Sequence, residues 1–462
     1  ESPRKLLRYG FLSDFTEKDR DNGALEWLLK CHINLVQFYD WSYRHDSLVA
    51  PQEDYHDMMG KEISGSTVKA KIAKAKALGM HPTAYGAVYA ASKPFFEKHP
   101  TWAFYNSCQE PFVFIDVFYI MNIAEGSPWR KHLFEEYQSA ISMMGFSGIH
   151  MDTYGFPKTA YSHLDAIPKR IKLENELPTL IDETRENVHG EEEPYLIFNN
   201  VGAWPVQRTA DRKQDAVYIE VWPPYDRYAS IAQLIRDART YAKDDKSIIL
   251  AAYLKPFREG KREKALPAAK LLMGSIVSNG ATHLLTGENQ TALTQGYYSD
   301  YTKFSDFEAE AIRRYYDYMI RYENLFFDPE LQDVTMTHTG WDNYEYQCTS
   351  HKVSSYGEAG KIWMILRERD YRKCIYLLNL CGQSEDYWNE GKEEPNIQKD
   401  IKFTVQVDAP VEKICFSTPD GENMDAIELS FTERATKTGK FIDFTVPSLN
   451  YWTTIWIDTK EE

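Results

Sequence analysis

Short apolar segments alternate with amphipathic segments from the start of the chain to about residue 328. Eight apolar segments have the length and the polar flanks of buried strands. They are "RYGFLSDF", "INLVQFYDW", "PTAYGAVYA", "GIHMDTYG", "YLIFNNVG", "AVYIEVWP", "SIILAAYL" and "THLLTG". Segments between them, such as "STVKAKIAKAKALGM", carry apolar residues at helical spacing. Eight strands, each followed by a helix or a long loop, predict an α/β fold of the (β/α)8 TIM-barrel type over residues 1–328.

The pattern changes after residue 328. From 329 to 462 apolar and polar residues alternate with period two, as in "KIWMILRER", "KCIYLLNL" and "IKFTVQV". This alternation is typical of antiparallel strands and predicts a C-terminal β-sandwich domain. The long segment 91–127 follows the third predicted strand and contains "EPFVFIDVFYIMN". We predict a long loop there that contains short strands. Long loops on this side of a barrel usually shape the site.

Charged and amide side chains gather at the carboxyl ends of the predicted strands. They are Asp14, Asp40, Asp152, Asn199, Asn200, Glu220, Lys255 and Glu288. In a barrel this is the face that carries the active site. A doubly wound open sheet is the competing architecture, but no G-x-G-x-x-G follows the first predicted strand.

Composition narrows the classes of partner. The formal net charge of −16 argues against binding to nucleic acid or to an anionic membrane surface, and a neutral ligand would be little affected by it. No run of 18 apolar residues predicts a membrane span. The six cysteines show no metal-binding spacing, and free thiols are the simpler interpretation. Aromatic residues make up 14% of the chain, and many of them follow the predicted strands. They either pack in a large core or stack on the apolar faces of a bound sugar.

Two lone carboxylates stand at the ends of the fourth and sixth predicted strands, Asp152 in "GFSGIHMDTYG" and Glu220 in "AVYIEVWPP". Each could be a buried structural acid. Two carboxyl groups at the ends of barrel strands are, however, what glycoside hydrolases use for catalysis. The apolar "VWPP" after Glu220 favours a raised pKa and the acid/base role, whereas Tyr154 and His150 could stabilise an ionised nucleophile at Asp152. His150 and Asp152 could also begin a metal site, but no further ligands complete the spacing, so no metal is expected.

Six segments in order resemble glycoside hydrolase family 66, which contains dextranases and cycloisomaltooligosaccharide glucanotransferases. The segments are "NLVQFYDWSYRHDSLV", "GMHPTAYGAVYAAS", "GFSGIHMDTYG", "VYIEVWPPY", "LAAYLKP" and "THLLTGENQTALTQGYY". The resemblance implies a catalytic barrel with a C-terminal β-domain that acts on α-1,6-linked glucan with retention of configuration. It places the nucleophile at Asp152, in "MDTYG", and the acid/base at Glu220, in "YIEVWP".

The same motifs imply a sugar-contacting surface in "QFYDWSYRH", and further candidates lie at strand ends or beside the two acids. The first group is Asp40, Trp41, Tyr43, Arg44 and His45; the second is Tyr85, Tyr89, Tyr154, Asn199, Trp222, Tyr253 and Glu288. Arg44 could instead pair with Asp40, and Trp41 could belong to the core. Lys255 departs from the neutral residue that we would expect after the seventh strand.

These observations predict an endo-acting, retaining dextranase that cleaves α-1,6-glucosidic linkages to isomaltooligosaccharides without a cofactor. The alternative is a cyclising glucanotransferase, which the resemblance associates with an inserted carbohydrate-binding module; no segment between the strands has the roughly 100 residues of such a module. A non-catalytic glucan-binding protein, or a barrel isomerase or aldolase using Lys255, is a weaker alternative. Because dextran is extracellular, a secreted, cell-surface or periplasmic location is expected. The sequence does not indicate the oligomeric state.

Overall fold

A closed parallel sheet forms the first part of the chain. The computed structural model describes residues 3–20, 23–340 and 343–460. Its eight parallel strands, numbered β1 to β8, are β1 Tyr9–Leu12, β2 Leu35–Phe38, β3 His81–Ala87, β4 Gly148–Asp152, β5 Tyr195–Val201, β6 Ala216–Glu220, β7 Ser247–Ala251 and β8, which is split into Thr282–His283 and Thr286–Gly287.

Strand pairing shows how the sheet closes. Each strand from β1 to β7 pairs in parallel with the next one. The first part of β8 pairs with β7 through Ile249 and Thr282, and its second part pairs with β1 through Phe11 and Gly287. The sheet therefore returns to its first strand, and the predicted (β/α)8 barrel is confirmed.

The barrel strands form because their side chains are buried on both faces. All five residues of β4 and all five of β6 are buried, which fits near-continuous apolar runs in parallel strands. At Gly148 a Cβ atom would lie 2.3 Å from the carbonyl oxygen of Tyr195, so only glycine allows β4 to approach β5 there. The last residues of β4 and β6 are Asp152 and Glu220, and parallel strands bring both to one face of the barrel.

Helices lie between the strands and after them. They are Ala24–Lys30, Gly65–Ala77, Lys93–Lys98, Pro128–Ser139, the π-helix Ala140–Met144, Leu173–Asn187, Val206–Thr209, Tyr228–Ala242, Ala265–Ser278, Asp306–Arg321 and Glu323–Phe326. Ser127 caps the helix that begins at Pro128, because its side chain accepts a hydrogen bond of 3.3 Å from the backbone N–H of Trp129. None of the helices in the described ranges is long and apolar enough to cross a membrane.

The loops of the barrel contain short antiparallel strands. They are Asp54–His56, Glu62–Ser64, Ala90–Ala91, Phe104–Tyr105, Val113–Phe114, Phe118–Ile120, Thr159–Ser162, Lys169–Lys172, Thr291–Ala292 and Thr302–Lys303. Ala90–Ala91, Phe118–Ile120 and Val113–Phe114 pair in that order as a three-stranded sheet. The long loop over 91–127 therefore contains short strands, as the sequence predicted.

The C-terminal region consists of two largely antiparallel sheets. Its strands are Gln332–Asp333, Tyr346–Cys348, Val353–Ser354, Ile362–Arg369, Arg372–Asn379, Gln398–Val407, Val411–Ser417, Ile427–Glu428, Phe431–Thr436, Gly439–Leu449 and Trp452–Thr459. One buried apolar cluster joins both sheets, with Ile375 and Leu377 from one and Phe403 and Val405 from the other. The predicted β-sandwich is therefore confirmed.

The chain divides into two compact units. One contains Glu1–Pro223, Asp237–Ala252 and Thr282–Lys303, and the other contains Pro224–Arg236, Tyr253–Ala281 and Phe304–Glu462. The predicted domain boundary between residues 328 and 329 stays a prediction. All eight barrel strands belong to the first unit.

Candidate active site

A cavity of about 560 Å³ opens at the carboxyl ends of the barrel strands, within the first compact unit. Most of its lining comes from strand ends and from the loops that follow β2, β3, β4, β6 and β8. The lining residues are Gln37, Tyr39, Asp40, His45, Met59, Tyr85, Phe114, Ile115, Phe118, His150, Asp152, Thr153, Tyr154, Asn199, Val201, Glu220, Trp222, Gly296, Tyr297 and Tyr298.

One amide group joins the two carboxylates in this cavity. The Asn199 Nδ2 atom donates hydrogen bonds to Asp152 Oδ1 at 2.7 Å and to Glu220 Oε2 at 3.1 Å. Asp152 Oδ1 and Glu220 Oε2 are both hydrogen-bonded to this nitrogen. They can therefore be no farther apart than the sum of the two distances, about 5.8 Å. Because Asn199 lies on β5, between β4 and β6 in the sheet, its side chain reaches both strand ends.

Burial dominates the electrostatics of Asp152. The residue is only 8% exposed, and burial, assisted by the charge of Glu220, raises the pKa of its carboxyl group to about 7. Hydrogen bonds from the Tyr85 hydroxyl, at 2.7 Å, and from Asn199 act in the opposite direction and lower this pKa. We expected the surroundings of Asp152 to favour its ionised form; here burial outweighs the hydrogen bonds.

The donors to Asp152 differ from those expected from the sequence. His150 Nδ1 lies 3.0 Å from the Tyr9 hydroxyl, and burial lowers the pKa of its imidazole to about 3, so the ring is neutral. The Tyr154 hydroxyl has no hydrogen-bond partner among the described residues. Tyr85, from β3, takes the role expected of them because β3 pairs directly with β4.

Asp40 is a third carboxyl group in the cavity. It follows β2 with a left-handed backbone φ of 50°, an uncommon conformation outside glycine. Burial raises the pKa of its carboxyl group to about 8, with a further increase from the charge of Asp57, so the group holds a proton at neutral pH. A neutral carboxyl group can donate a hydrogen bond as well as accept one.

The cavity contains eight of the site residues expected from the sequence: Asp40, His45, Tyr85, Asp152, Tyr154, Asn199, Glu220 and Trp222. Within this group, His45 Nδ1 is buried with no hydrogen-bond partner among the described residues. Trp222 is partly exposed, and a Cβ atom at Gly296 would lie 3.2 Å from its indole and 3.4 Å from Glu220 Oε1. Glycine at position 296 therefore lets its loop approach both side chains closely.

Four expected residues on the loops after β2 and β3 lie outside the cavity lining. Trp41 is fully buried, and its indole N–H donates to the Tyr85 carbonyl oxygen at 3.1 Å, so the core interpretation fits its position. The Arg44 guanidinium lies 4.1 Å from the Tyr43 ring and donates to the Tyr43 and His56 carbonyl oxygens rather than being held by Asp40. The Tyr89 hydroxyl accepts the backbone N–H of Tyr154 at 2.5 Å and so supports a lining residue.

Glu288 and Tyr253 also lie outside the lining. Glu288 is fully buried in an ion pair with Lys71, and it accepts the backbone N–H groups of Ser13 and Asp14 at 2.9 and 2.8 Å. Tyr253 belongs to the second compact unit and is buried. Strand-end position alone did not distinguish such structural positions from lining ones.

Several lining aromatics were not among the expected site residues, although Tyr39 is one of the aromatic residues at the ends of the predicted strands. Tyr39 stacks on Tyr298 with ring centroids 4.5 Å apart, and the Tyr298 and Tyr218 hydroxyl groups are 2.7 Å apart. Tyr39 precedes Asp40, and Tyr297 and Tyr298 end the segment "THLLTGENQTALTQGYY", so both signals were present. The missing information was which loops fold over the barrel mouth.

The remaining groups with metal-binding, thiol or amine chemistry lie outside the cavity lining. The described ranges contain no group of three or more His, Cys, Asp or Glu residues placed to hold a metal ion. All six cysteines are free thiols. The Lys255 ammonium lies 2.5 Å from Glu390 Oε1, both in the second unit.

The fold is that of the barrel glycosidases. A maltogenic α-amylase from Thermotoga neapolitana superimposes with a TM-score of 0.60 at 11% identity, over 99% of each chain. An α-L-fucosidase from Paenibacillus thiaminolyticus superimposes with a TM-score of 0.59 at 12% identity, over 99% of this chain and 100% of the other. The family model for glycosyl hydrolase family 66 matches residues 1–456, so the chain belongs to this family and the resemblance seen in the sequence is confirmed.

Relatives of the chain include two cycloisomaltooligosaccharide glucanotransferases. One from Niallia circulans is 22% identical over 608 aligned residues, which cover 98% of this chain and 61% of the relative. A Paenibacillus glucanotransferase, crystallised with cycloisomaltoheptaose, superimposes with a TM-score of 0.87 at 18% identity, over 98% of this chain and 85% of that one. The chain spans about three fifths of the length of the curated relatives that it matches.

Proposed function

We propose that the protein is an endo-acting, retaining glycoside hydrolase that cleaves α-1,6-glucosidic linkages of dextran to isomaltooligosaccharides. The proposal rests on one observation above all: Asp152 Oδ1 and Glu220 Oε2 accept hydrogen bonds from the same Asn199 amide, so these two atoms lie at most about 5.8 Å apart. Retaining glycosidases place their carboxyl groups about 5–5.5 Å apart, whereas inverting ones need about 6.5–9.5 Å to admit a water molecule.

In the first step Asp152 attacks C1 of a glucosyl unit while Glu220 protonates the departing O6 atom. The C1–O6 bond breaks as the bond from C1 to the Asp152 carboxylate oxygen forms, which gives a β-linked glucosyl-enzyme. Two carboxyl groups this close do not readily ionise together, so one of the pair retains a proton near neutral pH. The proposed reaction needs the form of the pair in which Glu220 holds this proton and Asp152 is ionised as the nucleophile.

In the second step Glu220 acts as a base. It takes a proton from a water molecule, whose oxygen attacks C1 and releases Asp152 as the carboxylate. The product has the α configuration because each of the two displacements inverts C1. This chemistry needs no metal ion or organic cofactor.

The surface around the cavity suits a chain of sugar rings. Exposed apolar side chains stand on four loops around the mouth: Met59 after β2, Ile115 after β3, Trp222 after β6 and Tyr297 after β8. Such side chains pack against the C–H faces of pyranose rings, while the hydroxyl groups turn to polar residues such as Asp40 and His45. A mouth that is apolar on several sides supports binding of sugar units on both sides of the cut, which is endo action.

A second candidate is glucosyl transfer to a sugar hydroxyl, as the names of the relatives suggest. We favour hydrolysis as the main activity, because the family resemblance associates the cyclising transferases with an inserted carbohydrate-binding module, and the alignment is consistent with missing segments. The alignment spans 608 positions although this chain has 462, so at least 146 positions of the alignment stand opposite gaps in this chain. The chain thus lacks substantial segments that the transferase carries. Because dextran is extracellular, action outside the cytoplasm goes with this proposal.

Chemical rescue by azide tests both roles in one experiment. The substrate is an α-isomaltosyl donor with a 4-nitrophenolate leaving group, which departs without acid assistance. In Asp152→Ala azide should occupy the space of the lost nucleophile and give the β-glycosyl azide. In Glu220→Ala azide should attack the glycosyl-enzyme and give the α-glycosyl azide. NMR of the two azides distinguishes them, and the opposite assignment of products would reverse the two roles.

A further inference from the structure

The turn of one hairpin at the cavity mouth has an unusual residue at a strained position. Strands Val113–Phe114 and Phe118–Ile120 pair as an antiparallel hairpin, and between them Ile115 and Asp116 have left-handed φ angles of 45° and 59°. Glycine, asparagine and aspartate are the residues that adopt this conformation readily. A β-branched residue such as Ile115 is a genuine outlier there, because its two γ-carbons crowd the backbone.

Packing within the hairpin does not account for this isoleucine. Phe114 stacks on Tyr154 with ring centroids 4.4 Å apart, and Phe118 packs in a small core with Ala87 and Ala90. Ile115 is outside that core and remains 51% exposed. The turn therefore combines a strained backbone position with an apolar side chain that is half exposed to water.

The remaining feature of Ile115 is its place in the lining of the cavity that contains Asp152 and Glu220. We propose that Ile115 is a substrate-binding residue, whose side chain covers the apolar face of a glucosyl unit at the mouth of this cavity. The inference rests on the proposed function, since it needs a pyranose substrate. Ile115 would contact the sugar from the loop after β3, whereas Trp222 and Tyr297 lie on other loops.

Replacement of Ile115 by asparagine separates this role from a structural one. Asparagine accepts the left-handed conformation, so Ile115→Asn should leave the unfolding temperature unchanged or raise it. The same change removes the apolar contact, and KM for dextran should rise about five-fold, the effect of losing roughly 40 Å² of buried apolar surface. Because the contact is equal in the ground and transition states, kcat should stay unchanged.

Two control variants isolate the cause. Asp116→Gly relieves the neighbouring left-handed position in the same turn, outside the cavity lining, and should leave KM unchanged. Ile115→Leu keeps an apolar side chain and should retain KM within about two-fold. A rise in KM confined to Ile115→Asn would support the contact with sugar.

Other results would overturn the inference, and they can be told apart from a failure of the proposed function. If wild type cleaves dextran and Ile115→Asn has the same KM, Ile115 does not contact the sugar. If Ile115→Asn lowers the unfolding temperature, the isoleucine serves the fold. If wild type neither cleaves dextran nor binds it in isothermal titration calorimetry, the proposed function fails and this inference fails with it.

Discussion

The pair of carboxylates depends on the uncharged residues between and beside them. Asn199 donates to both, and Tyr85 donates to Asp152 alone. These bonds orient the carboxylates and partly offset the cost of burying the Asp152 charge. We therefore regard Asn199 and Tyr85 as positioning residues for the proposed nucleophile.

The pKa of Asp152 sets a direction for the pH dependence. Burial raises this pKa to about 7, and the proposed attack needs the ionised carboxylate. As the pH falls through 7, Asp152 takes up a proton, so kcat/KM for dextran should fall about ten-fold for each pH unit below about 6. Initial rates between pH 4 and 9 measure this. A profile that stays flat down to pH 4.5 would contradict the raised pKa.

Removal of the shared amide should move that profile. In Asn199→Ala the hydrogen bond that lowers the Asp152 pKa is lost, so the acid limb of kcat/KM should shift to higher pH, with kcat reduced about 100-fold. Asn200→Ala is the matched control, because the neighbouring amide donates to the Tyr218 carbonyl oxygen instead. An acid limb that moves equally in both variants would indicate a general effect on the barrel.

The sequence revealed the acids of the site more readily than their partners. Asp152 and Glu220 could be found because each ends an apolar strand, where a lone charge is conspicuous. Trp41 and Tyr39 occupy the same strand-end segment, yet Trp41 is fully buried in the core and Tyr39 lines the cavity. Which way each loop side chain turns is decided by packing between loops distant in sequence, and no local pattern records it.

At the scale of elements, a buried ion pair ties the barrel together where β8 meets β1. Glu288 follows β8, accepts backbone N–H groups just after β1, and pairs with Lys71 of the helix Gly65–Ala77. Both side chains are almost completely inaccessible to solvent. This arrangement holds the ends of two strands and a helix in a fixed relation beside the cavity.

Loss of one partner from this pair should be costly. Glu288→Gln keeps an acceptor for the two N–H groups but leaves the Lys71 charge buried alone, and should destabilise the fold by about 3–5 kcal/mol. Glu26→Gln is the control, because it breaks the exposed ion pair with Lys74 of the same helix and should cost less than about 1 kcal/mol. Urea unfolding compares the variants. Equal midpoints would show that the buried pair adds nothing beyond its hydrogen bonds.

The sequence predicted most barrel elements, with less success at their ends. "RYGFLSDF" contains β1, but only Tyr9–Leu12 is paired as a strand, because the backbone N–H groups of Ser13 and Asp14 after it bind the Glu288 carboxylate instead of a neighbouring strand. The split of β8 into Thr282–His283 and Thr286–Gly287 has no signal in "THLLTG". The first part of β8 pairs with β7 and the second part pairs with β1.

At the scale of the whole molecule, two periodicities were enough to predict two architectures. Strands and helices alternate through the barrel, and period-two strands build the sandwich, whose inward residues form one apolar core. The partition into compact units could not be read in the same way. Residues 253–281, although they lie between β7 and β8 in sequence, cluster with the C-terminal strands, and such long-range packing leaves no local trace.

The composition of the molecule fits a neutral polymeric substrate. The net charge of −16 disfavours polyanions, and the exposed apolar side chains at the cavity mouth suit the faces of sugar rings. The net charge and the exposed apolar side chains therefore favour the same neutral sugar substrate as the Asp152 and Glu220 pair.

Early products of dextran cleavage provide the most direct test of this proposal. Dextran is incubated with the protein, and the products of the first minutes are separated by chromatography and examined by proton NMR before the anomers equilibrate. We expect a ladder of linear isomaltooligosaccharides whose new reducing ends are first α, together with a rapid fall in viscosity. New ends that are first β would contradict double displacement by Asp152 and Glu220. Mainly cyclic products would favour transfer, and uncut dextran would contradict the proposed substrate.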